Sequence, residues 1–123
     1  MKNPNTYVLY HGNCPDGFGA AWAAWKALGE RAVYLPVQHH EPMPELADGA
    51  EVVIVDFSYD AETLTALAGR MRRVVVLDHH KSAQAALAGL PDLETMAREG
   101  GRLGVAFDME RSGAVMAWAH FHP

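Results

Sequence analysis

Four short hydrophobic segments of the chain each run into residues that can bind metal ions or carry protons. In chain order, the residues at these positions are His11 with Asp16 shortly after it, Asp56, the run Asp78-His79-His80, and Asp108. Carboxylates and neutral imidazoles are ligands suited to manganese, zinc, iron or magnesium. A set of this size could hold two ions with one aspartate between them, and such a pair activates water for in-line attack on phosphorus.

The elements that must position these residues follow from the hydrophobic pattern. The pattern predicts strands over 6–10, 32–37, 51–55, 73–77 and 104–107, and helices over 16–28, 61–70, 83–88, 91–99 and 111–121, with one helical turn at 44–47. Strands that alternate with helices predict an α/β fold, a Rossmann-like, mostly parallel sheet of about five strands flanked by helices. Because such sheets place ligands at the carboxyl ends of their strands, we expect one shared site there, with Asp56 on a central strand as the bridging carboxylate.

Large aromatic residues and capping residues give more local predictions. Phe18, Trp22 and Trp25 are spaced by four and three residues, so they share one helix face, which we predict to pack in the core. Asp60 and Ser82 are predicted to cap the helices that follow them.

Other residues of the same types have plainer interpretations. A single aspartate after a strand is commonly a helix cap, and a lone histidine is commonly just hydrogen-bonded. The pair His39-His40 lies in a proline-rich loop, and His120 and His122 lie near the chain end, so surface positions are predicted for all four.

Composition bounds the possible functions. The chain has 123 residues, enough for one domain spanning 1–123, and its formal net charge of −5 argues against a large non-specific nucleic-acid surface. A short nucleic-acid substrate stays possible, since a bound metal ion can supply the positive charge. The single cysteine, Cys14, permits no internal disulfide. No segment has the apolar length of a membrane span, and residues 1–5 lack the apolar stretch of a signal peptide, so a cytoplasmic location without membrane contact is expected.

Four motifs in order carry a family resemblance. They are His11–Gly17 opening a helix of small residues, Ile54–Asp56 followed by Phe57-Ser58, Leu77–His80, and Asp108 followed by Arg111–Ala114. With these motifs the chain resembles the DHH phosphoesterase superfamily over about its whole length. That superfamily includes single-strand-specific exonucleases, nanoRNases, cyclic-dinucleotide phosphodiesterases, exopolyphosphatases and family II inorganic pyrophosphatases.

The resemblance implies a role for each matching residue. The implied metal ligands are His11, Asp16, Asp56, His79 and Asp108. Asp78 would fix an imidazole, His80 would contact the phosphate or the transition state, and Arg111, with Ser112, would contact substrate. The implied cofactor is a divalent metal, Mn²⁺ by expectation, as one or two ions, with Mg²⁺, Zn²⁺ and Fe²⁺ as alternatives.

Two departures from the family pattern affect these expectations. Cys14 stands where the first of two aspartates is expected. A thiolate there would bias the site towards zinc or iron, but the interpretation favoured from sequence is that Cys14 does not ligate. Typical members also continue into a C-terminal domain with a glycine-rich, histidine-containing substrate-binding motif, which is absent from this chain. The chain is then a compact or truncated catalytic domain, or a second copy or partner subunit completes the cleft. Lys81 and Arg102 are the obvious local substitutes for anion binding.

The expected function is hydrolysis of short oligonucleotides or other small phosphodiesters. One alternative is hydrolysis of pyrophosphate or polyphosphate, which needs a cluster of Lys and Arg that the chain scarcely offers. A second is a non-catalytic module that binds a metal, a nucleotide or a partner protein at a degenerate site. A third is a dinucleotide-binding domain without metal, but the chain lacks the G-x-G-x-x-G turn after the first strand.

Overall fold

Five parallel strands form a single sheet in the computed structural model, which describes residues 5–12, 14–38 and 41–123. The elements in chain order are β1 Thr6–His11, α1 Pro15–Leu28, a 3₁₀ turn Gly29–Arg31, β2 Val33–Val37, β3 Glu51–Val55, α2 Ala61–Ala68, β4 Arg73–Asp78, α3 Lys81–Ala86, α4 Leu93–Glu99, β5 Leu103–Phe107 and α5 Gly113–Phe121. The prediction of an α/β fold with a five-stranded parallel sheet is confirmed.

The strand order places the predicted site at a topological switch point. The order is β2-β1-β3-β4-β5, so the chain leaves β1 first towards one edge and then returns to build the other. Tyr10 pairs with Val55, and Val55 pairs with Leu77, so β1, β3 and β4 end in register. The residues that follow these strands therefore meet at one edge, where open α/β sheets bind their ligands.

Aliphatic residues on both faces of the central strands hold the helices against the sheet. Val52 to Val55 are all buried, and alternate residues belong to two separate hydrophobic clusters. One cluster contains residues of α1 and α5, and the other contains residues of α2. This two-sided burial is the reason for the unbroken hydrophobic run of β3.

The aromatic face of α1 is not in the core, so that prediction is wrong. Phe18, Trp22 and Trp25 are 68%, 50% and 52% exposed. The buried residues of α1 are Gly17, Ala20, Ala21, Ala23 and Ala24. Because the buried face of α1 carries only glycine and alanine, the helix approaches the sheet and α5 closely, and the large rings lie on the outer face. There Trp22 stacks on Trp118 with ring centroids 5.7 Å apart.

The terminal histidines are also less exposed than predicted. His122 stacks on Trp118 with centroids 3.9 Å apart, and its Nε2 lies 3.0 Å from the carbonyl oxygen of Ala23. His120 is half-buried, and burial lowers its pKa. The contact with Ala23 shows that His122 holds the end of α5 against α1.

Capping explains most of the differences in helix boundaries. Asp60 caps α2 as predicted, accepting a hydrogen bond from the Thr63 N–H at 2.7 Å. Ser82 is not a cap, because His80 occupies the N-cap position of α3. Asp92 caps α4, which therefore begins at Leu93. The predicted turn at 44–47 is not helical, and no helix of the described residues is long and apolar enough to cross a membrane.

Candidate metal centre

Asp56 lies at the centre of the acids and histidines at this edge of the sheet. The residue is 1% exposed and has a φ of 66°, a conformation that non-glycine residues rarely adopt. Its N–H donates to the carbonyl oxygen of Leu77 at 3.0 Å. Strain of this kind persists only where the surroundings impose it, and it is commonest at functional sites.

The two oxygens of the Asp56 carboxylate face two different groups. Oδ1 lies 2.7 Å from Nε2 of His79. Oδ2 lies 3.6 Å from Nδ1 of His11 and accepts a hydrogen bond from the Cys14 Sγ at 3.5 Å. One buried carboxylate is thus shared by two sets of ligand atoms, as a bridging ligand would be.

Asp16 completes the first of these sets. Its Oδ2 lies 3.2 Å from Nε2 of His79, and its two oxygens accept hydrogen bonds from the N–H groups of Gly113 and Ala114 at 2.8 and 2.9 Å. These donors are the first N–H groups of α5, where the helix dipole favours a negative charge. The carboxylate therefore links the start of α1 to the start of α5.

Burial and hydrogen bonding shift the pKa values of the two carboxyl groups in opposite directions. Burial raises the pKa of Asp16, but the N–H donors from Ala114 and Gly113, with smaller contributions from Asp56 and His79, outweigh it and lower that pKa overall. Burial raises the pKa of Asp56, and the neighbouring Asp16 raises it further. Two carboxyl groups this close repel each other when both are ionised, and a bound cation would relieve that repulsion.

Two glycines permit the close approach of the helices to this cluster. A Cβ at Gly17 would lie 2.1 Å from the carbonyl oxygen of His11, and a Cβ at Gly113 would lie 2.5 Å from Oδ1 of Asp56. Both glycines belong to the motifs recognised in the sequence, but only the packing shows why no side chain fits there.

Asp78 orients the two histidines that follow it. Its carboxylate is 1% exposed, and Oδ1 accepts a hydrogen bond from the His79 N–H at 2.7 Å. The same oxygen lies 2.6 Å from Nδ1 of His80. An imidazole whose Nδ1–H is held by a carboxylate presents its other nitrogen, Nε2, to its surroundings. The His80 side chain is 50% exposed.

Asp108 and Arg111 are placed apart from the cluster. The Asp108 N–H donates to the carbonyl oxygen of Asp78 at 3.3 Å, so the residue does follow the neighbouring strand. Its carboxylate, however, accepts from the Glu110 N–H at 3.0 Å and lies 3.2 Å from Nε of Arg111. The predicted ligand and the predicted substrate-binding cation thus pair with each other, and Ser112 caps α5.

Within the described ranges, three groups of side chains bring possible ligand atoms within 4.8 Å of one another. They are Asp16, Asp56 and His79; His11, Cys14 and Asp56; and Asp78, His79 and His80. Every predicted metal ligand except Asp108 belongs to one of them. Cys14, which the sequence predicts not to be a ligand, belongs to the second group. The pair His39-His40 lies outside the described residues.

A cavity opens beside Asp78 and His80. It has a volume of about 410 Å³ and is lined by the segment 56–60, by Asp78 and His80, and by residues of α3. Tyr59 is one of the lining residues, and its hydroxyl is buried without a hydrogen-bond partner among the described residues. Its ring packs edge-on against Phe57 with centroids 5.3 Å apart. Nothing in the sequence pattern distinguishes Tyr59 from the other aromatic residues of the chain.

Comparisons with known proteins do not assign a function to these residues. No model of a protein family matches the chain, and no solved structure matches it. The chain is similar to an uncharacterized protein of Acanthamoeba polyphaga mimivirus, with 32% identity over 138 aligned positions. The alignment covers 99% of this chain and 30% of that protein, so the chain spans about three tenths of the length of this relative.

Proposed function

We propose that this chain is a metal-dependent phosphoester hydrolase of the DHH type that acts on short oligonucleotides or other small phosphodiesters. The observation that carries the proposal is the buried carboxylate of Asp56, whose oxygens face His79 on one side and His11 with Cys14 on the other. A carboxylate shared by two sets of ligands would hold two ions close together, as the two-metal mechanism of phosphoester hydrolysis needs.

The residues present fit divalent cations. The cluster combines carboxylates and imidazoles, and the pKa of the buried Asp56 carboxyl is raised by burial and by Asp16, an effect that a bound cation would oppose. His11, Asp16, Asp56 and His79 would hold the ions, and Asp108 would join them only after leaving Arg111. When bound, such ions neutralise phosphoryl oxygens and make water a better nucleophile. Mn²⁺ is the expected metal, with Mg²⁺, Zn²⁺ and Fe²⁺ as alternatives.

The chain's own residues supply orientation and hydrogen bonds. Asp78 holds Nδ1 of His80, so Nε2 is the nitrogen that would contact a phosphoryl oxygen. Asp78 thereby acts as a positioning residue. Arg111 would bind a second oxygen once its contact with Asp108 is exchanged for one with substrate.

The low positive charge beside the cluster favours a phosphodiester over a polyphosphate. Among the described residues, Arg111 is paired with Asp108, and Lys81 is the nearest other cation by sequence. A substrate with one negative charge per phosphate needs fewer cations than pyrophosphate does.

We propose that the protein acts in the cytoplasm and that a second copy or a partner subunit completes the cleft. Light scattering at several protein concentrations would detect a homo-oligomer.

The test is hydrolysis of bis-p-nitrophenyl phosphate and of a short oligoribonucleotide in the presence and absence of Mn²⁺. We compare the wild type with Asp56→Asn, which removes the charge but keeps the shape of the bridging residue. Asp48→Asn is the matched control, because Asp48 is exposed and pairs with Arg70 away from the cluster. Pyrophosphate in the same assay separates the phosphodiesterase from the phosphoanhydride hydrolase.

We expect metal-dependent turnover that Asp48→Asn retains and that falls at least about 100-fold in Asp56→Asn. Mutation of a residue that only hydrogen-bonds a metal ligand already costs about 10–100-fold in activity, so loss of a bridging ligand should cost at least as much. Circular dichroism confirms that each variant is folded. Wild-type turnover that Asp56→Asn retains would contradict the two-metal proposal. Metal binding by calorimetry without turnover on any of the three substrates would favour the binding module.

A further inference from the structure

We infer that Cys14 is a metal ligand and that, with His11 and Asp56, it forms a cation position of different chemical softness from the position of Asp16, Asp56 and His79. This inference rests on the proposed function, because it divides the proposed centre into two unlike halves that share Asp56. The cation it assigns to the cysteine-containing half is Zn²⁺ or Fe²⁺.

The distances from Asp56 to the other two ligand atoms are those of a tetrahedral site, and all three atoms lie within 4.8 Å of one another. Bonds of about 2.0–2.3 Å at tetrahedral angles place neighbouring nitrogen, oxygen and sulfur ligands about 3.3–3.6 Å apart. Oδ2 of Asp56 lies 3.6 Å from Nδ1 of His11 and 3.5 Å from Sγ of Cys14. By comparison, Oδ1 of Asp56 lies 2.7 Å from Nε2 of His79, a hydrogen-bond distance that must lengthen before an ion enters.

Helix capping does not account for the position of the Cys14 side chain. Cys14 is the N-cap residue of α1, where a side chain normally accepts a hydrogen bond from the helix. Its side chain makes no such bond, and its Sγ is directed to the Asp56 carboxylate instead. The backbone alone begins the helix, with the Phe18 N–H donating to the Cys14 carbonyl oxygen at 2.9 Å. The sulfur is therefore available to bind a metal ion beside the buried carboxylate of Asp56.

Ligand chemistry then separates the two halves. Thiolate and imidazole ligands select zinc and iron, whereas carboxylate-rich sets suit manganese and magnesium. On binding, the thiol loses its proton to solvent and the sulfur forms the bond to the ion. The half with Asp16, Asp56 and His79 has two carboxylates and one imidazole, so it would keep the harder ion.

X-ray absorption spectroscopy of the zinc-loaded protein tests the assignment directly. The sequence contains one cysteine, so a zinc–thiolate distance of about 2.3 Å can arise only from Cys14. Loading with Co²⁺ gives a second measurement, the near-ultraviolet charge-transfer absorption of a cobalt thiolate. Cys14→Ser and Cys14→Asp are the variants, and Asp48→Asn is again the control away from the cluster.

We expect the zinc–sulfur distance and the cobalt–thiolate absorption in the wild type and in Asp48→Asn, and neither in the two cysteine variants. Zinc affinity should fall by at least about 100-fold in Cys14→Ser. Loss of a residue that only hydrogen-bonds a metal ligand already lowers metal affinity by about 10–100-fold, so loss of a ligand should cost at least as much. Cys14→Asp should bind Mn²⁺ more tightly relative to Zn²⁺ than the wild type does. Should a variant fail to fold, the wild-type spectrum still decides.

The outcomes distinguish this inference from the proposed function. Bound zinc with only nitrogen and oxygen neighbours, together with metal-dependent hydrolysis, would overturn the role of Cys14 and leave the phosphoesterase standing. Failure of the protein to bind Zn²⁺, Co²⁺ or Mn²⁺ at all would overturn both.

Discussion

Replacing Gly113 by alanine tests whether the start of α5 holds the Asp56 carboxylate in place. The added Cβ would lie 2.5 Å from Oδ1 of Asp56 and 2.8 Å from its Cβ and Cγ, whereas ordinary contacts begin at 3.4 Å. The carboxyl group or the helix must therefore move by about 0.9 Å, and overpacking of this kind costs about 1–3 kcal/mol. The atoms in contact lie close to the Asp56 backbone, which is itself constrained at a φ of 66°, so the upper part of that range applies.

The expected change in stability follows from these terms. Alanine also restricts the unfolded chain, which returns about 0.4–1 kcal/mol, so the net loss is about 2 kcal/mol. For a chain of this length each kcal/mol lowers Tm by about 4 °C, so Tm should fall by about 8 °C. On the proposed function, a displacement near 1 Å of the bridging carboxylate should lower the hydrolysis rate by about 100-fold and weaken metal binding as well.

The assay combines thermal unfolding in EDTA with Mn²⁺ titration and phosphodiester hydrolysis. Gly89→Ala is the neutral control, because a Cβ there meets nothing within 4 Å. Gly19→Ala is the matched packing control, since its Cβ would lie 3.0 Å from the Cβ of Ala114 in the same helix interface and would meet no carboxylate atom within 4 Å. An unchanged Tm and unchanged metal affinity in Gly113→Ala would refute the packing argument.

Three further predictions concern other parts of the domain. Gly17→Ala should destabilise the chain by about 3 kcal/mol or more, measured by urea unfolding, because the new Cβ meets the His11 carbonyl oxygen and backbone cannot rotate away; a loss below about 1 kcal/mol would contradict this. The stacking of Trp22 on Trp118 should contribute about 0.5–1.5 kcal/mol in a double-mutant cycle with alanine, and a coupling energy of zero would show that the exposed pair adds no stability. The backbone N–H and the side chain of Thr95 lower the pKa of Asp92, so the cap contributes stability above the ordinary carboxyl pKa and loses it as the pH falls through the lowered value. The stability of the wild type relative to Asp92→Asn should therefore decline in acid, and a stability difference in urea unfolding that does not change with pH would refute the assignment.

The sequence alone was sufficient for the class of fold and for most of the candidate site. Unbroken aliphatic runs such as Val74–Leu77 are typical of parallel sheets covered by helices on both faces, and the strands so predicted end in register. Parallel strands bring the residues after them to one edge, so His11, Asp56 and His79 could be predicted to lie together. Capping at Asp60 was also predictable, because the hydrogen bond it forms is local.

Tertiary packing decided what periodicity could not. The rings of Phe18, Trp22 and Trp25 share one helix face, but which face is buried depends on how closely neighbouring elements approach, and the alanine face of α1 approaches closest. Asp108 follows its strand as predicted, yet its carboxylate pairs with Arg111. The turn in which the Arg111 N–H donates to the Asp108 carbonyl oxygen brings the two side chains together, and the hydrophobic pattern does not show that turn. The position of Cys14 beside Asp56 joins residues 42 apart in sequence, so only the folded chain could place that sulfur among the ligands.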